Sequence, residues 1–338
     1  MGATVLRKLQ IGAETTAGTL VSATTVMSWP YGATLNDERT IVNVEEAAGQ
    51  AVPFAHSYQP AIMQTVEVPD QPATFEQIGY WFEAGLERIG TAGTDTGGTG
   101  KIRQYDYANA AAPTIRTYSI EGVTAQGTRA LTYGFVEALT ISGASDEAIM
   151  VSGTWRGRYT ADLTATTAKI IPVVNERILF NKASFYLDAT ATTIGTTAKT
   201  GLLLGFSLDV PTGQKPVTTA DGANQFSLAS WQPDEGPASV TGELTVRHNA
   251  DGEILYDAAV AGTVKLMRIE SLGSALTTAG SSYTYKTARI DAAIEFTEVP
   301  AIDAQDSYDT YTLPFRVVDD SGCDHLTITI VNQLAALT

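Results

Sequence analysis

The stretch of sequence that decides the fold reads AIMVSGTWRGR, residues 148–158. Ile149, Val151 and Trp155 fall on one face of an extended chain, and the residues between them are mostly small, polar or charged. This period-two alternation is typical of a strand with one face on a core and the other in water. We therefore predict a strand over 148–158 in a mainly β protein.

Further extended segments lie on both sides of this stretch. In the first half we predict strands at 64–68, 114–123 and 133–142, the last with Tyr133, Phe135, Leu139 and Ile141 on one face. In the second half we predict strands at 177–187, 201–210, 240–247, 263–270, 287–298, 309–318 and 326–331. The hydrophobic content of 44% fits a globular protein rather than a disordered one.

One segment has helical rather than strand periodicity. Its apolar residues recur at spacings of three and four, at Phe75, Ile78, Phe82, Leu86 and Ile89. Thr74 and Gln77 fit a capping box at the start, and Gly90 is suited to end the helix. The pattern predicts an amphipathic helix over 74–90 whose apolar stripe is core and packs across a sheet; contact of part of this stripe with a neighbouring subunit is the alternative.

The order of segments is similar in the two halves of the 338-residue chain. We predict a first domain over 1–168, with an N-terminal arm (1–30), a long loop (31–64) and the helix (74–90). We predict a second domain over 169–338, with a long loop (211–237) and a short helix (251–260) capped by Asp251. A domain size of roughly 150 residues agrees with this division.

The acidity of the chain argues against a grip on nucleic acid. The formal net charge is −16, and the basic residues are scattered rather than clustered. Proteins that hold DNA present clustered Lys and Arg to the phosphates. We expect either a solubilising surface or one that repels a polyanion. We also expect no membrane anchor, because no apolar stretch approaches the roughly 20 residues of a membrane helix.

Motifs for catalysis or metal binding are weak. Cys323 and His325 form a Cys-x-His pair without the further ligands that zinc needs. The glycine-rich run at 97–101 fails as a phosphate loop, because Asp95 and Ile102 replace residues that such a loop requires. We therefore predict no enzyme activity, no cofactor and no metal.

Carboxylates keep one enzymatic alternative open. Asp303, Asp306 and Asp309 form a spaced acidic run, and glycoside cleavage needs two carboxylates that flank the bond. The sequence does not show whether these groups converge. A solvated acidic loop is the simpler interpretation, and a carbohydrate-active enzyme is the third hypothesis for this chain.

Several stretches together resemble a known family. The opening LRKLQIGAETTAGT (6–19) and the segment PATFEQ (72–77) resemble the tail tube proteins of long-tailed phages, the siphovirus major tail proteins. The strand pair at 133–141 and 149–158 is similar to the tube-barrel strands of that family. The resemblance covers 1–160, and over 176–338 it extends to the order of elements.

The resemblance implies a fold and a function. The fold would be two tandem β-sandwich or barrel tail-tube domains, each with one short flanking α-helix. Copies would assemble into stacked rings, as trimers with pseudo-sixfold symmetry, and so form the hollow tube that delivers DNA. The chain would be made in the host cytoplasm and reside in the virion tail.

The resemblance also implies partners. They are further copies of the chain, the tape-measure protein in the lumen, the tail terminator, and distal tail or baseplate proteins. DNA would pass through the lumen without specific binding, since no phosphate-neutralising contacts are expected. Candidate inter-subunit contacts are Leu6, Arg7, Trp29, Tyr31, Phe54, Tyr58, Phe75, Phe82 and Trp231. The second hypothesis is a two-domain β-sandwich binding or decoration protein, such as an adhesin or a capsid surface module.

Overall fold

The computed structural model describes residues 7–30, 32–44, 49–52, 56–107, 111–125, 127–164, 166, 175–190, 192–232, 240–305, 308–320 and 325–337. Within these ranges the protein is mainly β, as predicted, with two short α-helices. The helices are α1 (Ile78–Gly85) and α2 (Ala250–Ala261).

The strands of the first half include all those predicted there. In chain order they are β1 (Lys8–Ala13), β2 (Thr25–Val26), β3 (Thr34–Asn43), β4 (Ser57–Pro72), β5 (Glu87–Thr94), β6 (Lys101–Asp106), β7 (Tyr118–Thr124), β8 (Gly127–Ala144) and β9 (Met150–Leu163). Part of the predicted arm is therefore not free, because β1 is a largely buried strand paired with β2 and β7.

The strands of the second half also match the predicted segments, with three additional short strands, β12, β13 and β17. They are β10 (Ala183–Ala189), β11 (Leu203–Pro211), β12 (Gln214–Val217), β13 (Leu228–Trp231), β14 (Thr241–Arg247), β15 (Lys265–Ala275), β16 (Tyr285–Phe296), β17 (Ile302–Gln305), β18 (Tyr308–Val317) and β19 (Leu326–Asn332).

A long hairpin organises each half. In the first half β8 pairs with β9 along most of its length, and its other edge is divided between β7 and β11. In the second half β16 pairs with β15, and its other edge is divided between β19 and β18. One long strand shared by two partners thus recurs in both halves.

Two strand pairings join the halves into one 17-stranded sheet. β8 pairs with β11, and β6 pairs with β19 over six residues from Lys101 to Asp106. The division into domains at residue 168 stays a prediction, and these ladders cross it together with single backbone hydrogen bonds such as that from the Ile149 amide to the Ile178 carbonyl.

The alternation predicted for 133–142 is interrupted by irregular pairing. The register between β8 and β9 shifts between Thr132 and Phe135 and again between Val136 and Ala138. Tyr133 adopts a φ of 57°, which is rare for a residue with a side chain. As a result the adjacent Phe135 and Val136 are both buried, so Tyr133, Phe135, Leu139 and Ile141 do not share a simple alternating face.

Helix α1 is shorter than predicted and is not a flanking helix. All eight of its residues are buried, so the helix lies inside the core rather than on it. The chain leaves the helix at Leu86, and 87–94 forms β5 against β6 instead of a last helical turn. Gly90 therefore lies within a strand and does not end the helix. The residues of α1 are apolar or small except Glu83, whose buried carboxylate accepts a hydrogen bond from the Tyr118 hydroxyl and pairs with Arg88.

The predicted capping box is half present. The Thr74 hydroxyl accepts a hydrogen bond from the Gln77 amide at 3.2 Å. The Gln77 side chain does not return to Thr74; its Nε2 donates to the Val26 carbonyl and its Oε1 accepts from the Ser28 amide. The side-chain amide of Gln77 therefore connects the start of α1 to the end of β2 and the residues that follow it.

Two tryptophan rings contact a third, which belongs to α1, in the buried core. Trp81 of the helix lies 5.8 Å from Trp29 and 5.4 Å from Trp155 of β9, and Trp29 lies 5.9 Å from Trp155. All three pairs are tilted, an arrangement that aromatic rings favour. Trp155, which the sequence placed on the core face of its strand, is thus the strand's contact with the helix.

Helix α2 occupies the predicted place with a different cap. The Asn249 side chain accepts hydrogen bonds from the amides of Asp251 and Gly252, so Asn249 and not Asp251 is the N-cap. Asp251 instead lies in the first turn and pairs with Lys199 at 2.6 Å. Gly262 ends the helix with a φ of 60°, a left-handed conformation that glycine adopts readily.

The two long loops contain hairpins. The described part of 31–64 is built on β3 and the first part of β4, and it remains largely exposed, in agreement with the expected lack of core. In 211–237, β12 and β13 form a hairpin whose connecting loop returns to the first half of the same chain. There Phe226 is buried, its ring 5.5 Å from that of Tyr133, and Arg158 donates to its carbonyl.

A buried ion cluster links the halves. The Lys286 ammonium lies 2.5 Å from a Glu76 carboxylate oxygen and 3.1 Å from one of Glu176. The side chains of Lys286 and Glu76 are each only 4% exposed. Glu176 also accepts from the amide and hydroxyl of Ser274. The first half, the segment at 176 and the long β15–β16 hairpin therefore meet at one buried cluster, in which a single ammonium group contacts two carboxylates.

Other buried carboxylates are satisfied by neutral donors. Asp95 accepts from the amides of Ser282 and Tyr283, which fixes the turn after β5 to the second half. Asp188 accepts from the amides of Gly195 and Thr196. Burial raises the pKa of Asp188, but hydrogen bonds led by that from the Thr196 hydroxyl outweigh it and bring the pKa below its usual value.

We predict that Lys286→Met destabilises the fold by roughly 3–5 kcal/mol, because it leaves the Glu76 carboxylate buried without its counter-charge. Lys199→Met is the matched control, since its partner Asp251 is 36% exposed; we expect it to cost about 1 kcal/mol or less. The free energy of unfolding in urea measures both. Equal losses would contradict the assignment of Lys286 as the link between the halves.

Candidate assembly surfaces

The most exposed regular structure of the first half is a two-stranded ribbon. We call β3 together with residues 57–63 of β4 the β3–β4 ribbon. β4 pairs with β9 only from Gln64 onward, so residues 57–63 have β3 as their ladder partner among the described strands. One further backbone contact, from the Ile62 amide to the Asn224 carbonyl, connects the ribbon to the loop between β12 and β13.

Apolar side chains lie in water along this ribbon and its adjoining segments. Ile41 is 58% exposed, Tyr58 is 56% exposed, and Val44 and Val52 are also exposed. The pairing of β3 with β4 is irregular between Thr40 and Val42, at the position of Ile41. Exposed apolar strands with an unpaired edge are typical sites of association between chains.

Charged contacts fix the base of the ribbon. Arg39 makes a bidentate contact with Asp37, at 2.9 and 2.8 Å from Nε, and its guanidinium lies 4.5 Å from the ring centre of Tyr159. Hydrogen bonding to Asp37 raises the pKa of Arg39. Glu38 accepts from the Thr65 hydroxyl at 2.9 Å. These contacts hold the ribbon in a defined direction before any partner binds.

The candidate contact residues fall into four groups. Leu6, Tyr31 and Phe54 lie outside the described residues. Arg7 and Tyr58 are exposed. Trp29 and Trp231 are partly buried. The ring of Trp29 contacts those of Trp81 and Trp155, and Trp231 lies opposite Gln214 in the β12–β13 hairpin. Phe75 and Phe82 are 1% and 0% exposed.

The burial of Phe75 and Phe82 corrects their selection as contacts with another subunit. Their rings lie in the core because α1 is enclosed on all sides, so they offer no surface to a neighbour. Ile41, Val44 and Val52 were missed by the sequence argument. The run TIVNV at 40–44 contains the β-branched residues that favour a strand, and this signal was available in the sequence.

The acidic run does not form one carboxylate pair. Asp303 lies opposite Thr310 and Asp309 lies opposite Ala304 in the β17–β18 hairpin, so the two carboxylates project to opposite faces. Asp306 lies outside the described residues, as do Cys323 and Asp324. The described residues hold no group of three or more His, Cys, Asp or Glu that is arranged to bind a metal.

Two other findings bear on the surface. His325, next to the last strand, is bonded through Nε2 to the Tyr107 carbonyl and so serves the contact between β6 and β19. Among the described residues, neither helix has the length and apolar character to cross a lipid bilayer.

No protein-family model matches this chain, and no curated protein is significantly similar to it.

We predict that Phe82→Ala lowers the free energy of unfolding by about 3–5 kcal/mol, because it opens a cavity beside the buried helix. Tyr58→Ala removes a side chain of similar size from the exposed ribbon and is expected to change stability by about 0.5 kcal/mol or less. Urea denaturation of both variants measures the difference. A small loss for Phe82→Ala would restore it as a candidate surface residue.

Proposed function

We propose that this chain is a structural virion protein, the tail tube subunit of a long-tailed phage. The observation that carries the proposal is the β3–β4 ribbon, a preformed element with exposed Ile41 and Tyr58, which Arg39 connects to β9 through the ring of Tyr159. The ribbon gives each copy a projecting contact for the next ring. The resemblance of 6–19, 72–77 and 133–158 to tail tube proteins favours this class over other self-associating β proteins.

Open strand edges support assembly around a ring. β3 and β17 each have one ladder partner among the described strands, β4 and β18 respectively. Such edges are normally a liability, and neighbours in a closed ring would cover them. Contacts between different surfaces of identical subunits generate rings where the rotation closes and filaments where it does not.

The repeated long hairpin supports a pseudo-sixfold ring. β8–β9 and β15–β16 each offer one long strand that is shared by two partners, once in each half. Three copies of a chain that carries this unit twice would place six units around a ring. In that arrangement the tape-measure protein occupies the lumen during assembly, and terminator and distal tail or baseplate proteins cap the tube.

The charge of the chain is compatible with passage of DNA. A net charge of −16 discourages the counterion release by which proteins hold phosphates. A lumen of this character lets DNA slide through without specific binding. Under this proposal the protein is synthesised in the host cytoplasm and functions in the virion tail.

Negative-stain electron microscopy over a concentration series tests the proposal. We predict hollow tubes or threefold rings for the wild type and their loss in Ile41→Lys, because a lysine on an exposed strand opposes edge pairing. Val260→Lys is the matched control: Val260 is also 58% exposed but lies on α2, and its variant gains the same charge. We expect it to assemble normally, and both variants to unfold at the wild-type temperature.

Isolated monomers of the wild type at every concentration, also with a tail initiator complex added, would contradict the proposal. They would favour the two-domain binding or decoration protein. Normal tubes from Ile41→Lys would show that the ribbon is not the contact between rings.

A further inference from the structure

A basic groove opens at one end of the first half. It has a volume of about 490 Å³ and lies where β1, β7 and β8 meet the start of β3. Arg7, Lys8 and Arg129 line it, and none of its described lining residues is acidic. In a chain with a net charge of −16 this concentration of positive charge is a local exception. The volume is within the range of ligand-binding clefts, roughly 300–1,000 Å³.

The backbone shapes the groove and gives it an apolar part. Leu9, Gly122 and Arg129 lie side by side across three paired strands. A Cβ on Gly122 would lie only 3.1 Å from the Cβ of Leu35, so the missing side chain leaves room for β3 to approach. Leu9, Leu35 and Val123 belong to the lining together with the cations.

This combination selects an acidic segment with apolar side chains. An inorganic anion would engage the cations and leave the partly exposed Leu35 and Val123 in water, whereas Leu9 is already buried. A peptide that carries both carboxylates and apolar groups would bury that surface and place its charge beside Arg7 and Lys8. The bound segment must also approach a protein whose net charge is negative, so the local positive charge of the groove has to outweigh that repulsion.

The β17–β18 hairpin of the same chain has the complementary composition. Ile302 and Tyr308 are each more than half exposed, and the carboxylate-bearing Asp303 and Asp309 are exposed beside them. β17 is an edge strand of four residues, so the hairpin is thin and accessible from one side. The carboxylates on its two faces allow it to be held by cations from two directions.

We propose that the basic groove binds the β17–β18 hairpin of a second copy of this chain. This inference rests on the proposed function, because it names the two surfaces through which neighbouring copies meet. The groove belongs to the first half and the hairpin to the second, so the contact joins different surfaces. A contact of this kind leads from copy to copy and can close a ring.

Variants in which the charge of each surface is reversed test the inference. The groove variant is Arg7→Glu with Lys8→Glu, and the hairpin variant is Asp303→Lys with Asp309→Lys. We expect each to weaken self-association, measured by sedimentation velocity, by about tenfold or more, because like charges then face each other. In a mixture of the two variants both contacts between unlike chains are complementary, one with the wild-type charges and one with the reversed charges, so mixing restores association. A chain with all four changes restores association to within about threefold of the wild type.

Asp70→Lys with Asp257→Lys is the control, since both residues are exposed and the change in net charge equals that of the hairpin variant. We expect it to associate as the wild type does. Association of the groove and hairpin variants at wild-type strength, or failure of the four-change chain to recover, would overturn the inference. If the wild type itself does not associate, it is the proposed function that fails.

Weakening of the groove variant alone, with the hairpin variant unchanged, would assign the groove to a different anionic ligand and would also overturn the inference. Inorganic phosphate is the probe for that outcome. If phosphate at millimolar concentration weakens self-association of the wild type and of the hairpin variant equally, the groove contacts an anionic surface other than the hairpin.

Discussion

The sharing of one long strand between two partners is the constraint on which the rest of the structure depends. Because β8 pairs with β7 over one part and with β11 over the other, the sheet must diverge along it. The space between the diverging strands is filled by α1, whose eight residues are all buried, and by the Trp29, Trp81 and Trp155 rings. Lys286 and Glu76 then fix the second long hairpin to the same region.

The strand ladders that join the halves and the exposed elements at the edges of the protein have different roles. The ladders β8–β11 and β6–β19, and the Asp95 turn, hold the halves together without leaving the core open to water. The apolar ribbon, the edge strand β17 and the basic groove are left at the periphery, where a second copy can reach them. A stiff body with projecting contacts is what a subunit of a long helical assembly requires, because small errors in subunit geometry would accumulate along a tube.

The fold class and most strand positions could be predicted because alternation is a local property of the sequence. Ile149, Val151 and Trp155 reveal a strand without knowledge of its neighbours. The extent of α1 could not be predicted, since the apolar spacing continues to Ile89 while pairing with β6 converts 87–94 into a strand. The same limit applies to the surfaces: the sequence allowed Phe75 and Phe82 either a core role or a contact with a neighbouring subunit, and the enclosed helix places them in the core. Arg7 and Arg129 are 122 positions apart and meet only after folding.

Hydrogen exchange of the wild type, compared between a dilute sample and an assembled one, tests the central claim most directly. The account predicts that amides in residues 37–44 and 57–62 exchange more slowly after assembly, because a neighbouring copy covers the β3–β4 ribbon. Amides of α1 and of β15–β16 should exchange at the same slow rate in both samples, since they are already enclosed. Unchanged exchange in the ribbon of an assembled sample would contradict the claim that this element joins the subunits.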